Sequence, residues 1–152
     1  KSKQVWGKPC PIFIRSLGME GNGVGHTASS SNHSIFMHSS GLPVVAPITP
    51  KEYQSVWDHF MDHDDPIYVS EHRKSFLITD EMPDVYEDDT MITVIAISCG
   101  RINMLEANKH LREEGIKCDI FHLVWLKPFD PPEAMLNSLK RTKLGIVIDS
   151  DY

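Results

Sequence analysis

Two histidine-containing segments have residue types and spacing that could do chemistry. The first, residues 18–34 (GMEGNGVGHTASSSNHS), combines four glycines with His26 and His33. Glycines let the backbone approach a ligand closely, and an exposed imidazole in such a loop can donate or accept a proton. The spacing GNGVG is neither a dinucleotide-binding fingerprint nor a phosphate-binding loop. From composition alone, a flexible loop followed by a serine-capped helix is the favoured interpretation.

The second segment is HFMDHDD, in which His59 and His63 are four residues apart. On a helix this spacing places both imidazoles on one face, which is compatible with ligation of a transition metal. No Glu follows His59, so the zinc-protease signature is absent. A solvated helix end therefore explains the segment better.

A third group, Glu71, His72 and Arg73, ends an apolar run. In open α/β sheets the carboxyl ends of strands face the ligand crevice. These residues could thus bind a ligand or a partner chain, or form a local ion pair, and both interpretations stay open.

The elements that must position these groups follow from apolar runs and capping patterns. Residues 41–72 read as a strand, a helix and a second strand, with Pro50 at the first helical position and Glu52 completing a capping box after Thr49. Strands are predicted at 11–15, 44–47, 67–70, 92–98, 117–123 and 144–149. Helices are predicted at 29–38, from 49, at 102–114 and at 130–140, the last with Pro131 and Glu133 at its start.

This alternation predicts an α/β fold with mostly parallel sheets flanked by helices. Residues 75–90 are acidic, contain a proline and show no sustained period, which indicates a linker. The sequence thus predicts two partial α/β units, at 1–74 and 91–152, joined by an acidic linker.

Composition narrows the function classes. The chain has 152 residues, 41% of them hydrophobic and 24% charged, with a formal net charge of −6, so it can bury a core but offers no basic stripe for nucleic acid or an anionic membrane. No apolar run approaches the ~20 residues that span a bilayer. The three widely spaced cysteines favour reduced thiols in a cytoplasmic protein over a disulfide framework.

Several phrases, taken in order, resemble the pyrimidine-binding domain of the transketolase superfamily: PIFIR, GVG, HSSGLPVVAPITP and DDPIYVSEH. The second half, with TVIAISCG, EANKHLREEGIKCDIFHL and WLKPFD, resembles the start of the transketolase C-terminal domain. The chain is most similar to the beta subunit of the thiamine diphosphate-dependent decarboxylase component of 2-oxo acid dehydrogenase complexes.

The resemblance implies decarboxylation of a 2-oxo acid with acyl transfer to a lipoyl carrier, or ketol transfer. Complete members of the family continue beyond both ends of the matched sequence, and their upstream part carries the glutamate that activates thiamine. A partner subunit or domain binds the diphosphate and magnesium. We therefore expect this chain to be inactive and to bind no cofactor alone, and to work in an oligomer with an alpha-type subunit or the missing domains.

Site residues also follow from the resemblance. The family places a histidine a few residues after the GVG-like loop, where an ungapped count from His38 finds Ala28. His26 and His33 are the nearest substitutes and are expected to be catalytic, as proton-transfer groups. The family's monovalent-cation site, built from backbone carbonyls, implies Phe60, Met61, His63 and Asp65.

An alternative of a different class is a non-catalytic α/β module, derived from the transketolase fold, that binds a partner. The alanine at position 28 favours it for the isolated chain. An unrelated flavodoxin-like or metal-binding domain lacks its expected ligand signature.

Overall fold

The computed structural model describes residues 2–19, 25 and 31–151. Seven strands lie within these ranges: β1 (Phe13–Gly18), β2 (Val44–Val45), β3 (Ile67–His72), β4 (Ile92–Ile97), β5 (Cys118–Leu123), β6 (Trp125–Lys127) and β7 (Gly145–Ile148). Five α-helices accompany them: α1 (Ser2–Trp6), α2 (His33–Met37), α3 (Pro50–Met61), α4 (Gly100–Glu113) and α5 (Glu133–Thr142). A 3₁₀ helix covers Arg73–Leu77. The predicted α/β fold with mostly parallel sheets is confirmed.

The first sheet has the strand order β1-β3-β2-β6. β1 and β2 both run parallel to β3, so the predicted strand–helix–strand unit forms across β2, α3 and β3. All six residues of β3 are buried, as expected for a central strand covered on both faces. β6 comes from the second half of the chain and pairs antiparallel with β2.

The second sheet has the order β5-β4-β7 and is parallel throughout. α4 packs so closely on β7 that a Cβ added at Gly100 would lie 2.8 Å from the Ile148 carbonyl oxygen. The core of this sheet includes Val94, Met104 and Ile120. Glycine at the start of α4 is thus needed for the contact between helix and strand.

α3 begins where its sequence predicts. The Glu52 carboxylate accepts the backbone N–H groups of Ile48, at 2.8 Å, and Thr49, at 3.2 Å, which forms the glutamate half of the capping box. Val56 on the inner face packs with Val45 and Val69 of the first sheet. Local capping and burial of one face therefore agree at this helix.

Other boundaries differ from the predictions. α5 begins at Glu133 rather than at residue 130, because a residue that precedes proline disfavours the helical region and Pro131 precedes Pro132. α4 begins two residues earlier than predicted. The three residues of β6 carry too little pattern for a sequence-based prediction, since their pairing with β2 is tertiary. In the predicted helix 29–38, the described part is helical only from His33 to Met37.

The acidic segment between the sheets lies along the edge strand β5. Val85 and Ile120 exchange two backbone hydrogen bonds of 2.9 Å in an antiparallel bridge. The Asp119 carboxylate accepts hydrogen bonds from the Glu87 N–H, at 3.0 Å, and from the Thr90 hydroxyl, at 2.6 Å. The segment thus covers an edge that would otherwise expose unpaired backbone groups. In the described part of the chain, no helix has the length and apolar character needed to cross a membrane.

Candidate functional site

His33 lies between the two sheets, at the start of α2, and is only 3% exposed. Its Nδ1 is 3.1 Å from the hydroxyl of Ser70 on β3. Its Nε2 is 2.7 Å from the carboxylate of Asp149, the residue that follows β7. One imidazole therefore connects a strand of the first sheet to the carboxyl end of a strand in the second.

A second carboxylate completes this cluster. Asp151 lies 3.4 Å from His33 Nε2, its side chain is 4% exposed, and it accepts the backbone N–H of Ser34. Ser31 forms a parallel bridge with Asp151 and a 3.4 Å hydroxyl contact with Ser150. We call His33, Ser70, Asp149 and Asp151 the His33 cluster.

The acceptors around His33 constrain where its proton lies. A carboxylate can only accept, so Nε2 carries a hydrogen toward Asp149, and Nδ1 of the neutral ring accepts the Ser70 hydroxyl proton. If the ring bound a second proton, the hydrogen bond with Ser70 would reverse its direction, with Nδ1 donating to the hydroxyl oxygen. The cluster can thus orient an imidazole and hold a proton at its Nε2.

An apolar cavity of about 290 Å³ opens beside the cluster. His33, Ser34 and Asp149 are its polar lining residues. Apolar side chains form the remainder: Met37, Ile97, Leu123, Leu126 and Phe129. A few polar groups at one end of an apolar cavity are typical of small-molecule sites. The geometry would place a short apolar chain beside an imidazole that is held by a carboxylate.

The order Ser70–His33–Asp149 has the connectivity of a serine-hydrolase triad. Ser70, however, is 2% exposed within the central strand β3 and does not line the cavity. A nucleophile must reach its substrate, so Ser70 serves as a hydrogen-bond partner of His33 and not as an attacking group.

A second polar connection between the halves is formed by Arg101 of α4, which is fully buried. Its Nη1 lies 2.7 Å from the carboxylate of Glu52, the residue that caps α3. His122, at the end of β5, is close enough for the Arg101 charge to act on it. Burial, and then Arg101, lower the pKa of His122 to about 4, so it is neutral at physiological pH.

The predicted group at the end of β3 forms an ion pair. Arg15 donates from Nε and Nη2 to the two Glu71 carboxylate oxygens, at 2.7 and 2.8 Å. Glu71 therefore forms an ion pair, but with Arg15 on β1, 56 residues away, and not the local pair that the sequence left open. The pair lies beside a cavity of about 480 Å³, in which burial raises the pKa of Tyr53 to about 12.

The second histidine segment spans the end of α3, with His59 in its last turn and His63 two residues beyond it, so the two do not share one helical face as predicted. The rings of His59 and His63 stack with centroids 3.9 Å apart. Burial, and then the neighbouring His63, lower the pKa of His59. Of the four residues implied for a monovalent cation, Phe60 and Met61 end the helix, and the Phe60 carbonyl accepts the His63 N–H at 3.3 Å.

Sequence reasoning identified His33 but missed its partners. His26 lies outside the described residues, so the structure assigns it no position. The sequence could have indicated Asp149 and Asp151, because they follow an apolar run predicted as a parallel strand. The carboxyl ends of such strands face the ligand crevice. Nothing in the sequence indicates Ser70, which sits within a continuous buried strand.

Comparisons with known proteins agree with this architecture. Residues 84–152 match the family described as transketolase, C-terminal domain. The pyruvate dehydrogenase E1 component subunit beta of Chlorokybus atmophyticus is 27% identical over 150 residues, which cover 91% of this chain and 44% of that protein. The 2-oxoisovalerate dehydrogenase subunit beta of Bacillus subtilis (strain 168) is 28% identical, over 99% of this chain and 49% of that protein. The chain thus spans about half the length of these relatives.

A solved structure gives the same fold. The structure described as "Split gene transketolase, inactive beta4 tetramer" has a TM-score of 0.65 at 18% identity, over 90% of this chain and 47% of that one. At this identity the likeness concerns the fold. Together these matches confirm that the chain resembles the transketolase superfamily and the beta subunits of 2-oxo acid dehydrogenases.

Proposed function

We propose that this chain is a component of a thiamine diphosphate-dependent enzyme that decarboxylates a 2-oxo acid and transfers the acyl group, or that transfers a ketol group. Its similarity to 2-oxo acid dehydrogenase beta subunits over nearly its whole length supports this reaction class. The solved split-gene relative is described as an inactive beta4 tetramer, which supports our proposal that this chain is inactive without a partner.

The observation that carries the proposal is the pairing of His33 and Asp149 in the lining of a mainly apolar cavity. A carboxylate that fixes an imidazole next to an apolar space provides a proton donor or acceptor close to a short substrate chain. His33 would hold the proton at Nε2 and exchange it with the substrate as the ring turns from Asp149. His26 stays the second candidate for the same role.

The cavity itself is unsuited to the cofactor's diphosphate. Its lining carries the Asp149 carboxylate, which repels an anion, and apart from His33 and Ser34 the other lining residues are apolar. We propose that an alpha-type subunit, or the remaining domains of the same enzyme, binds the diphosphate and magnesium. Bound thiamine diphosphate supplies the carbanion chemistry, while this chain orients the substrate and handles its proton.

Three further assignments belong to this proposal. Residues 1–74 and 91–152 are parts of the pyrimidine-binding and C-terminal domains, with 75–90 as the connection. A monovalent cation is held by the carbonyls of Phe60, Met61, His63 and Asp65, at the negative end of the α3 dipole. A cytoplasmic location is supported by the small number and wide spacing of the three cysteines.

The test is to purify the assembly that contains this chain from its native source and to measure its cofactor content and dye reduction. We expect thiamine diphosphate in the assembly and reduction of 2,6-dichlorophenolindophenol with a 2-oxo acid, or ketol transfer from a ketose phosphate. The proposal would be overturned by an assembly that contains no thiamine diphosphate and catalyses neither the 2-oxo acid reaction nor ketol transfer. Heat released when thiamine diphosphate and magnesium are titrated into the chain alone would overturn the need for a partner.

A second candidate function is that of a non-catalytic module that binds a partner. The burial of His33 favours it, since both ring nitrogens already have partners within the chain. His33→Asn in the native assembly separates the two. Loss of turnover with unchanged assembly supports the catalytic role, whereas unchanged turnover in both His33→Asn and His26→Asn supports the module.

A further inference from the structure

The outer edge of β7 is open, although the opposite edge of the same sheet is covered. In the second sheet, with the order β5-β4-β7, the acidic segment covers β5 through the bridge between Val85 and Ile120. Among the described residues no strand pairs with β7 on the side away from β4. An open edge presents unpaired backbone N–H and C=O groups to another chain. The proposed enzyme function does not use this edge.

β7 also lacks the features that usually protect an edge strand. Its sequence is GIVI, with no charged residue and no proline. Ile146 is 43% exposed and Val147 is 64% exposed, and Leu144, just before the strand, is 50% exposed. By contrast, the edge strand β1 of the first sheet carries Arg15. Apolar side chains at an open edge favour pairing with another strand.

The pairing with β4 decides which backbone groups of β7 are available. The Thr93 N–H donates to the Leu144 carbonyl at 3.0 Å, and Thr93 lies opposite Gly145. Successive residues of a strand direct their N–H and C=O groups to alternate sides. Leu144 and Ile146 therefore direct these groups to β4. Gly145 and Val147 direct theirs to the open edge.

An antiparallel second copy of β7 would satisfy the groups at the open edge. With Ile146 on a two-fold axis, Gly145 of each copy lies opposite Val147 of the other, and the two residues can exchange backbone hydrogen bonds. The two Ile146 side chains then meet at a non-hydrogen-bonded position. A shift by one residue would place outward-facing groups opposite inward-facing ones, so this register is strongly specified.

Charges at the two ends of β7 favour a second copy as the partner. Lys143, at the C-cap of α5, lies before the strand, and Asp149 follows it. In the antiparallel register each Lys143 lies opposite Asp149 of the other copy, which gives two complementary charge pairs. A parallel pairing in register would instead bring like charges together at both ends.

We propose that β7 pairs edge to edge with β7 of a second copy, in an antiparallel two-fold dimer centred on Ile146. The two sheets then form one continuous sheet, and the exposed side chains of Ile146 and Val147 become covered. The paired segment is short compared with an interface of standard size, so the dimer should dissociate on dilution.

Sedimentation velocity of the full chain at a series of concentrations tests the proposal. The wild type should change from monomer to dimer as the concentration rises. Val147→Lys should raise the dissociation constant by roughly tenfold or more, because each dimer would then hold two added charges near the Lys143 side chains. Leu77→Lys, at an apolar position that is 87% exposed in the 3₁₀ helix, is the matched control and should leave the dissociation constant unchanged.

Ile146→Cys tests the position of the two-fold axis. The Cα atoms of a non-hydrogen-bonded antiparallel pair lie about 4.5 Å apart, a distance that a disulfide can bridge. Cys10 is half-buried while Cys99 and Cys118 are buried, so the variant is made with Cys10→Ser. Ile146→Cys should then give a disulfide-linked dimer on oxidation, whereas Leu77→Cys with the same Cys10→Ser change should not. Circular dichroism checks that each variant is folded.

A wild type that stays monomeric at every concentration would overturn the proposal. A dimer that Val147→Lys does not weaken and Ile146→Cys does not link would also overturn it, because another surface would then be used. Growth beyond a dimer would contradict a pairing that uses up the open edge. If amide hydrogen exchange at Gly145 and Val147 slows only in the native assembly, the edge pairs with a strand of a different polypeptide, and the second copy is the wrong partner.

Discussion

His33 and the pair His59–His63 are histidines of one chain in opposite environments. His33 is almost completely buried, and both of its ring nitrogens are held by side chains from other elements. His63 is exposed and lies two residues beyond the end of α3, and its Nδ1 donates a hydrogen bond to the backbone carbonyl of His59. The first imidazole connects two sheets, whereas the second pair lies at the surface, at the end of one helix.

The difference shows that a histidine's role here depends on where its partners come from. The partners of His33 are 37 and 116 residues away in sequence, so they exist only when both sheets are assembled. The hydrogen-bond and stacking partner of His63 is His59, four residues away at the end of α3, and the one distant ring contact of the pair is between His59 and Trp125. Substitutions in the two regions should therefore have unequal effects on stability.

The largest effect is expected for His33→Ala. This change removes hydrogen bonds to a carboxylate and a hydroxyl and leaves Asp151 buried without its imidazole, so the free energy of unfolding should fall by about 2–4 kcal/mol. Urea unfolding followed by circular dichroism measures it. His63→Ala is the matched control and should change stability by about 0.5 kcal/mol or less. Equal losses of unfolding free energy in the two variants would contradict the proposed difference between His33 and the His59–His63 pair.

His122 extends the comparison to a half-buried histidine that lies within reach of the Arg101 charge. Burial and Arg101 lower its pKa to about 4, whereas the unfolded chain has an ordinary pKa of about 6.5. Between these values the unfolded state binds more protons, so stability should fall as the pH is lowered from about 6.5 toward 4.

The measurement is the urea midpoint at a series of pH values, in the wild type and in His122→Gln. The variant should show a shallower fall. Some dependence of stability on pH should persist in the variant. The pKa of His59 is also lowered, chiefly by burial, so His59 likewise lowers the stability as the pH falls. A slope identical to the wild type would show that His122 does not titrate in this range.

A smaller effect is expected for Ser70→Ala, which removes one neutral partner of His33 and keeps the Asp149 contact. The free energy of unfolding should fall by about 0.5–1.5 kcal/mol. Ser55→Ala, at an exposed position on α3, is the control and should have almost no effect. The two variants can be compared by thermal and urea unfolding. A greater loss in Ser55→Ala would contradict the assignment of Ser70 to the cluster.

A still smaller effect, although above that of the His63→Ala control, is expected for His59→Ala. Its edge contact with Trp125 should contribute about 0.5–1 kcal/mol at this half-buried position, somewhat more than His63 contributes. Differential scanning calorimetry of the two single variants resolves the order. If His59→Ala were as destabilising as His33→Ala, the second pair would be part of the structural core.

Much of the fold could be predicted because its elements are encoded locally. The apolar runs identified all six strands that carry a clear pattern, and Pro50 with Glu52 marked the start of α3. β6 escaped prediction because its three residues are held by pairing with Val44 and Val45. The predicted start of α5 was wrong, because two successive prolines shift the first helical residue to Glu133.

The candidate site could be predicted only in part. The composition of the loop drew attention to His33, but the same argument applied equally to His26, and composition cannot rank two imidazoles. The importance of Asp149 depends on β7 joining the second sheet beside α4, so that its carboxyl end meets His33. That arrangement follows from the packing of distant segments.

By itself, the sequence determined the α/β class, the helix at 50–61 with its cap, and the resemblance to transketolase-type beta subunits. These features depend on residue order and on interactions within a few residues, and both can be recognised in the sequence. Only the tertiary structure decided that His33 bonds to Ser70 and Asp149, and that Glu52 caps α3 while it pairs with buried Arg101. Hydrogen bonds require atoms within about 3 Å, and only packing of the two sheets brings residues so far apart in sequence to that distance.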